Sequence, residues 1–431
     1  MGETTVVVAG AGLAGLVTAR RLADAGADVT VFERRPTVGG RVRTRERDGF
    51  TLDYGFQVLF TAYPAVEAEL DLDALDLRRF RAGACIARPG ERSILADPLR
   101  DPGALVESLF NREVTTGDKF RTLALRRRLA NRDVDDVFAG TDESISAYLY
   151  ERGFSERFVE RFVAPFYGGI TLDRSLSTSK RVFEYTFKML TEGAAAVPAA
   201  GMGAIPEQLA DGARAAGATV HTGEAVTDVA DGSAETDDGE GDVTVTTDDR
   251  TVTADAAVVA TDPPTARELT GVSSIPTEGR GCVTQYYSLP DGPTLDAGKR
   301  LLLNAADGWP NTVAPLSAVA PEYAPDDRRL FAATFVDPAS QDRSDADLFD
   351  RATSALQSWY PERSFDGAEL LHTDRIPFAQ FAQPPGVHES LPDVRAPGGR
   401  VYLAGDYTAW SSIQGALESG RAAAEAVRAD C

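Results

Sequence analysis

A doubly wound α/β domain interleaved with a second domain of α+β type is the fold these 431 residues predict. Three observations carry that expectation. The chain opens on a strand, a glycine-rich turn, a helix and a second strand. It closes on a strand that ends in Gly405-Asp406 and runs into a last helix. Between them a further helix and strand, Glu207 to Ala216 and Thr219 to His221, repeat the unit, with helical and then strand-like stretches on either side.

Val6 to Ala9 is an unbroken apolar run, the pattern of a strand covered on both faces. It breaks on Gly10-Ala11-Gly12-Leu13-Ala14-Gly15, after which a helical segment reaches Ala25 and Gly26 stops it. Val29 to Phe32 then forms a second strand that ends at Glu33. Glycines at this spacing, between strand and helix, make a dinucleotide-binding fingerprint. Gly10 allows the tight turn, Gly12 lets backbone approach a pyrophosphate, and Gly15 lets helix and strand pack closely. The anion would rest on the helix N-terminus, and Glu33 would accept hydrogen bonds from ribose hydroxyls. Ala11, Leu13, Ala14 and Arg34 complete the expected contact set.

The next residues narrow the nucleotide. Pro36-Thr37-Val38-Gly39-Gly40-Arg41-Val42-Arg43-Thr44 resembles the second glycine pair, with its arginine, of the flavin amine oxidase and phytoene desaturase superfamily. The resemblance implies FAD in a Rossmann-type, glutathione reductase-like domain, with Gly40 and Arg41 beside it. Thr44 to Leu59 reads as a strand pair around Asp48-Gly49 and contains Asp53-Tyr54-Gly55-Phe56. This is similar to the superfamily's Asp-x-Gly-x motif, which implies that Gly55, Phe56 and Gln57 run beside the isoalloxazine ring. Gly55 suits that place, because only a residue without Cβ lets backbone come close to a flat ring.

From Pro64 to about Leu190 the pattern turns helical. Ala65 to Leu75 has apolar residues three and four apart. Gly117 to Asn131 and its neighbour Arg132 carry Lys119, Arg121, Arg126, Arg127, Arg128 and Arg132 on an otherwise acidic chain. Two readings stay open for that helix, a weak contact with a membrane surface or a solvated face paired with nearby acids. Glu143 to Leu149, Phe154 to Phe166 and the aromatic Phe183 to Leu190 complete a helical cap. Such stripes are usually core, and in a flavoenzyme cap they also line the channel for an apolar substrate.

Val197 to Pro206 resembles the superfamily's P-x-G-G-M segment, with one glycine displaced by a position. Gly223 to Val229 is similar to the segment whose valine meets adenine, which implies that role for Val226. Asp231 to Asp249 reads as an acidic hairpin tip, and Val252 to Thr261 as one strand. Short strands then recur at Cys282 to Leu289, Leu301 to Asn304 and Leu330 to Phe335, suggesting an antiparallel sheet, and Asp345 to Tyr360 is a helix stopped by Pro361. At the end, Arg400 to Asp406 and the helix opening at Trp410 resemble the family's last motif. Asp406 would then bond ribityl or pyrophosphate oxygens, Gly405 would sit beside it, and Ile413 would present its N–H to the flavin pyrimidine edge. The expected domains are 1–62, 195–265 and 395–431 for FAD, with 63–194 a helical cap and 266–394 a substrate sheet.

Composition sets the remaining limits. The formal net charge is -22, from 66 Asp and Glu against 44 Lys and Arg, and the only lysines are Lys119, Lys180, Lys188 and Lys299. A surface of this kind resembles that of salt-adapted, haloarchaeal cytoplasmic proteins. Its sign disfavours nucleic acid as a partner. Cys85, Cys282 and Cys431 make no disulfide framework, and they and the scattered His221, His372 and His388 give no metal-ligand spacing. No apolar run reaches the ~18 residues that span a bilayer. Val6 to Ala19 lacks the basic flank of a signal peptide.

The resemblance leaves the chemistry to be chosen. Amine oxidases of the family place a lysine near flavin N5 on the strand that here reads Gly281 to Tyr287, where none is present, and Ser412 stands where they carry an aromatic residue. No cysteine precedes the last strand closely enough for a thioether, so the FAD is expected to be non-covalent. These departures favour the phytoene desaturase branch, acting on a small-molecule apolar substrate, carotenoid or isoprenoid in kind, by hydride transfer to flavin N5. An amine or protoporphyrinogen oxidase, or a redox-neutral flavin isomerase, stands as the alternative. Tyr54, Gln57, Tyr286 and Tyr287 are expected to shape the pocket. The sequence names no catalytic residue and no electron acceptor.

Overall fold

The computed structural model describes residues 4–96, 113–232, 242–291, 295 and 297–431. At its centre lies a five-stranded, wholly parallel sheet. Its order is Thr219–Thr222, Asp28–Glu33, Thr5–Ala9, Ala256–Val259 and Val401–Leu403. Side chains along a strand alternate faces, and Thr5–Ala9 uses both. Val6 and Val8 join the core under helix Leu13–Asp24, which packs on Ala204–Ala215 on one side and Ile413–Asp430 on the other. Val7 turns instead to a second layer with Val243, Val245 and Ala254, which belong to the antiparallel strands Val226–Asp231, Val243–Thr247 and Thr251–Ala254.

The second sheet has seven strands, in the order Glu369–Phe381, Gly279–Pro290, Arg328–Phe335, Thr312–Ala314, Leu301–Asn304, Ala84–Arg88 and Glu91–Leu95. Helix Asp345–Trp359 covers one face, packing Leu348, Leu356 and Trp359 against Val283, Tyr287 and Phe335. The opposite face turns to the flank of the parallel domain. A helical cap of Thr116–Ala130, Ile145–Glu151, Glu156–Phe158, Val159–Val163, Ala164–Thr171 and Lys180–Glu192 closes over it.

Several sequence expectations are corrected here. The segment 63–194 is not helical throughout, since Leu77–Arg79, Ala84–Arg88 and Glu91–Leu95 are strands. The helix expected to reach Leu75 ends at Glu69, because the Asp71 carboxylate draws the N–H groups of Asp73 and Ala74 into a local turn. The second sheet is mixed, with Leu301–Asn304 running parallel to Ala84–Arg88. Val252 to Thr261 divides into Thr251–Ala254 and Ala256–Val259 at Asp255, whose carboxylate accepts the Thr5 N–H at 2.7 Å and hydroxyl at 2.8 Å. Of the acidic tip, residues 233–241 lie outside the described residues.

Among the described residues no helix is long and apolar enough to cross a membrane. The net charge of -22 has a consequence for stability. Lowering ionic strength from about 1 M to about 0.1 M lengthens screening from about 3 Å to about 10 Å, so repulsion reaches further across the surface. The melting temperature is expected to fall on that change, and melting curves that coincide at the two salt concentrations would overturn the salt-adapted reading.

Candidate functional site

The first turn is built by contact rather than by side chains. Gly10 has φ +106°, and a Cβ placed there would lie 2.8 Å from the Ala260 carbonyl oxygen. A Cβ on Gly15 would lie 2.0 Å from the Gly10 carbonyl oxygen, so the helix rests directly on the turn. Gly12 differs. It is the N-cap of Leu13–Asp24, and a Cβ added there would meet nothing within 4 Å. That helix has no side-chain cap and no acid in its first turn. Unpaired N–H groups at a helix start favour an anion, and the open space before Gly12 is a cradle that fits a pyrophosphate.

Around this end the polar groups are ordered. Glu33, 4% exposed, accepts the N–H groups of Ala11 and Arg35, each at 2.9 Å. Each oxygen keeps a further acceptor site, as ribose hydroxyls require. Arg34 pairs with Asp262 on the surface at 2.9 Å. The Gly39 N–H donates to the Ala11 carbonyl at 2.8 Å and so docks the second glycine pair on the first. Arg41 then reaches Asp406 at 2.7 Å and the Ala379 carbonyl at 3.1 Å, while the Ser411 hydroxyl donates to the other Asp406 oxygen.

A second loop is held from behind. Gly55 has φ +73°, and a Cβ there would come within 2.7 Å of Ile376. Its N–H donates to Asp374 at 3.1 Å, and the Gln57 amide donates to the carbonyls of Arg41 and Tyr54, both at 2.9 Å. Asp374 is buried and also takes Arg45 and His372. Sequence reasoning missed Asp374 because it missed the strand Glu369–Phe381, whose Pro377 speaks against a strand. The structure accommodates it at the sheet edge, where a proline costs least.

These groups line one cavity of about 1300 Å³. Gly10, Gly12, Leu13, Ala14, Glu33, Arg34, Gly40, Arg41, Tyr54, Gly55, Phe56, Gln57, Val226, Gly405, Asp406 and Ile413 all face it. Ala11 and Gly15 do not; the first holds Glu33 and the second supports the turn. Ordinary ligand sites measure about 300–1,000 Å³, so this one has room for a dinucleotide and a second molecule. Its remaining walls come from the cap, including Leu123, Leu149, Phe187 and Leu190, and from the seven-stranded sheet, including Leu301, Thr312, Thr334 and Phe378.

One cap wall is a ladder of phenyl rings. Phe154, Phe158, Phe162 and Phe166 stack in sequence with centroids 5.2, 5.5 and 5.6 Å apart. In a regular α-helix every fourth residue drifts by about 40° around the axis. The wider π-helical turn at Val159–Val163 winds less per residue and brings the row back into line.

Two expected shaping residues are corrected. Tyr286 is fully buried and donates its hydroxyl to the Asp53 carbonyl at 2.8 Å, and Tyr287 points to the opposite face and donates to Gln285 at 2.5 Å. Neither lines the cavity. From the same strand Cys282 does, and burial pushes its thiol up to about 12, which leaves it a poor nucleophile. Among the described residues no group of three His, Cys, Asp or Glu side chains is placed to hold a metal ion.

A family model described as flavin containing amine oxidoreductase matches residues 13–428. The chain is 26% identical to a 15-cis-phytoene desaturase of Arabidopsis thaliana over 99% of its own length and 80% of that protein. It is 30% identical to protoporphyrinogen oxidase 2 of the same organism over 38% of this chain and 32% of the relative. An oxidoreductase from Methanosarcina mazei has a similar structure, with TM-score 0.75, 19% identity, and 99% and 100% of the two chains covered.

Proposed function

Because the chain belongs to the flavin-containing amine oxidoreductase family, we propose that it is an FAD-dependent oxidoreductase that dehydrogenates an apolar, carotenoid- or isoprenoid-like molecule. The flavin, when bound, supplies a two-electron acceptor for a hydride at N5. The chain binds and orients. Glu33 would take the ribose hydroxyls, the Gly12 end of the first helix the pyrophosphate, and Val226 the adenine edge. Arg41 with Asp406, the Gly55–Gln57 backbone and the Ile413 N–H would hold the rest. The cavity volume of about 1300 Å³, with both Glu33 and Ile413 on its wall, supports FAD over a mononucleotide, which would leave much of it unfilled. Cys282, the cysteine on the cavity wall, is too weakly acidic to form a ready thioether, which supports a non-covalent flavin. Acid precipitation is expected to release the colour as intact FAD, and a coloured pellet would refute this.

The substrate reading rests on one observation. The acids lining the cavity, Glu33, Asp262 and Asp406, all come from the nucleotide half, and among the described residues the cap contributes no carboxylate. A cationic amine would lose its hydration there without a counter-charge. The phenyl ladder offers an apolar molecule a continuous wall. Lys119 and Arg126 also line the cavity and favour a second reading, in which a porphyrinogen's carboxylates meet them. The acidic, cysteine-poor composition supports a cytoplasmic, salt-adapted setting. Stopped-flow reduction of the bound flavin under anaerobic conditions tests the substrate. Bleaching by detergent-dispersed polyene precursors and none by simple amines is expected, and rapid bleaching by amines alone would overturn the proposal.

A further inference from the structure

Just beyond the strand Glu369–Phe381, Gln383 is 4% exposed and lines the cavity. Its amide is held by one atom only. The Ser411 N–H donates to Oε1 at 2.9 Å. A backbone N–H can only donate, so the atom that meets it is the amide oxygen and not the nitrogen. His388 Nε2 lies 3.3 Å from the same oxygen. Two acceptors would repel there, so Nε2 carries a proton and His388 donates to Gln383. Burial pushes the His388 ring down to about 4, so at neutral pH it donates as an uncharged imidazole. With Oε1 taken twice, the Gln383 Nε2 keeps two N–H groups, and among the described residues nothing accepts from them.

The surroundings hold this residue firmly. Its carbonyl accepts the Ser179 N–H at 2.8 Å, the Ser179 hydroxyl donates to Asp142, and Asp142 also accepts the Gly386 N–H at 2.9 Å. Phe138 meets the His388 ring edge-on, with centroids 5.0 Å apart. An amide fixed in this way with both donors unpaired is unfavourable unless a ligand accepts from them. Its place says which ligand. Ser411 also donates its hydroxyl to Asp406 at 2.8 Å and lies two residues before Ile413. In the reading above those two residues hold the ribityl chain and the pyrimidine edge, so the Gln383 donors stand at the same end of the flavin. Donors with no free acceptor suit a carbonyl oxygen, and not the ring N–H between the two pyrimidine carbonyls.

We propose that Gln383 donates to a pyrimidine carbonyl of the flavin and raises its reduction potential, with His388 positioning the amide. Reduction adds electron density to that ring, and a hydrogen bond strengthens as its acceptor gains charge. The donors therefore favour the reduced form over the oxidised one. They act without a charge of their own, in a part of the cavity where the Asp406 carboxylate is already paired with Arg41. The inference rests on the FAD reading and on the place given to Ile413.

Reductive titration of the FAD-loaded protein against a reference dye, in molar salt and without substrate, tests the inference. Gln383→Met removes the donors at similar side-chain length. Gln383→Glu keeps an oxygen for Ser411 and His388 but turns a second acceptor toward the flavin. Both are expected to retain FAD, since Gly12, Glu33 and Arg41 are untouched. Gln383→Met should lose about tenfold in the preference for reduced over oxidised flavin, a fall of about 30 mV for a two-electron couple, and Gln383→Glu more. His388→Phe should shift the potential in the same direction by less. A merely structural role would lower the melting temperature and leave the potential where it was. An unchanged potential in FAD-loaded Gln383→Met overturns the proposal, and if only substrate affinity changes, the donors belong to a substrate oxygen. Loss of FAD from both folded variants would overturn it too, by making Gln383 a residue that holds the nucleotide. Should Gln383→Glu fail to fold, Gln383→Met still decides. A wild type that carries no flavin would instead sink the cofactor reading itself, so the two failures are distinct.

Discussion

Gly12→Val is expected to give a folded, colourless protein, and Gly15→Ala a protein that does not fold. The two positions are three residues apart in one turn, yet the space around them is opposite. At Gly15 a Cβ would stand 2.0 Å from the Gly10 carbonyl oxygen and 3.1 Å from the Ala260 side chain. Both partners belong to the strand ends beneath the helix, so the whole strand–helix junction would have to separate. That places the cost at the exceptional end for a single substitution, above about 4 kcal/mol. At Gly12 the backbone has φ -76° and ψ 179°, which any residue adopts, and an added Cβ meets nothing. A valine there fits the protein and fills the cradle in front of the helix start. The flavin would lose its closest backbone approach, and a drop of roughly hundredfold or more in affinity corresponds to at least about 2.8 kcal/mol. Circular dichroism and flavin absorbance after gel filtration distinguish the outcomes. Stoichiometric FAD in Gly12→Val would refute the assignment of the cradle. The melting temperature of that variant should match the wild type stripped of flavin, since ligand binding raises stability by mass action.

The glycine turn was legible in the sequence because its spacing and its flanking strand and helix are local, although Ala260, which crowds Gly10 and Gly15, comes from far along the chain. Gly10, Gly12 and Gly15 act on backbone within one turn, and Glu33 reaches back only to the Ala11 N–H. The parts that were not legible depend on partners far along the chain. The parallel pairing of Ala84–Arg88 with Leu301–Asn304 joins segments that no short-range pattern connects, so the sequence around the first of these reads as part of a helical cap. Asp374 acquires its role from the Gly55 N–H, 319 positions away. Tyr286 and Tyr287 misled for a different reason. Alternation suggests that one of two neighbouring tyrosines faces an open pocket, but this strand is covered on both sides, by the helix Asp345–Trp359 and by the Asp53 backbone. The aromatic content of the cap was plain, whereas its alignment into a ladder needed the π-helical turn, which has no simple sequence signal.

Asp53 is expected to give the protein a pH dependence that Asp53→Asn removes. Its carboxylate is buried behind the Gly55 loop, accepting the Thr44 hydroxyl at 2.5 Å and the Met202 N–H at 2.8 Å. Burial pushes it up to about 6, and nearby Asp374 adds to the rise, while those two hydrogen bonds pull against it. Unfolded, the group ionises near the ordinary value of about 3.9. Below about pH 4 both states hold the proton, and the folded state has the full benefit of a neutral carboxyl. Between about pH 4 and 6 the folded chain keeps a proton that the unfolded chain has released. Stability must therefore fall as pH rises through that window and level off above it. A difference of about two units corresponds to about 3 kcal/mol. The other carboxylates titrate in wild type and variant alike, so the informative quantity is the difference between the two. An asparagine oxygen can still accept from Thr44 and Met202, although its amide hydrogens need partners that the aspartate did not, which shifts absolute stability but not its slope. Urea midpoints in molar salt at pH 4 and pH 7 supply the measurement. Relative to wild type, Asp53→Asn should gain up to about 3 kcal/mol on going from the lower pH to the higher, and parallel pH profiles would show that Asp53 ionises in the folded protein as freely as in water.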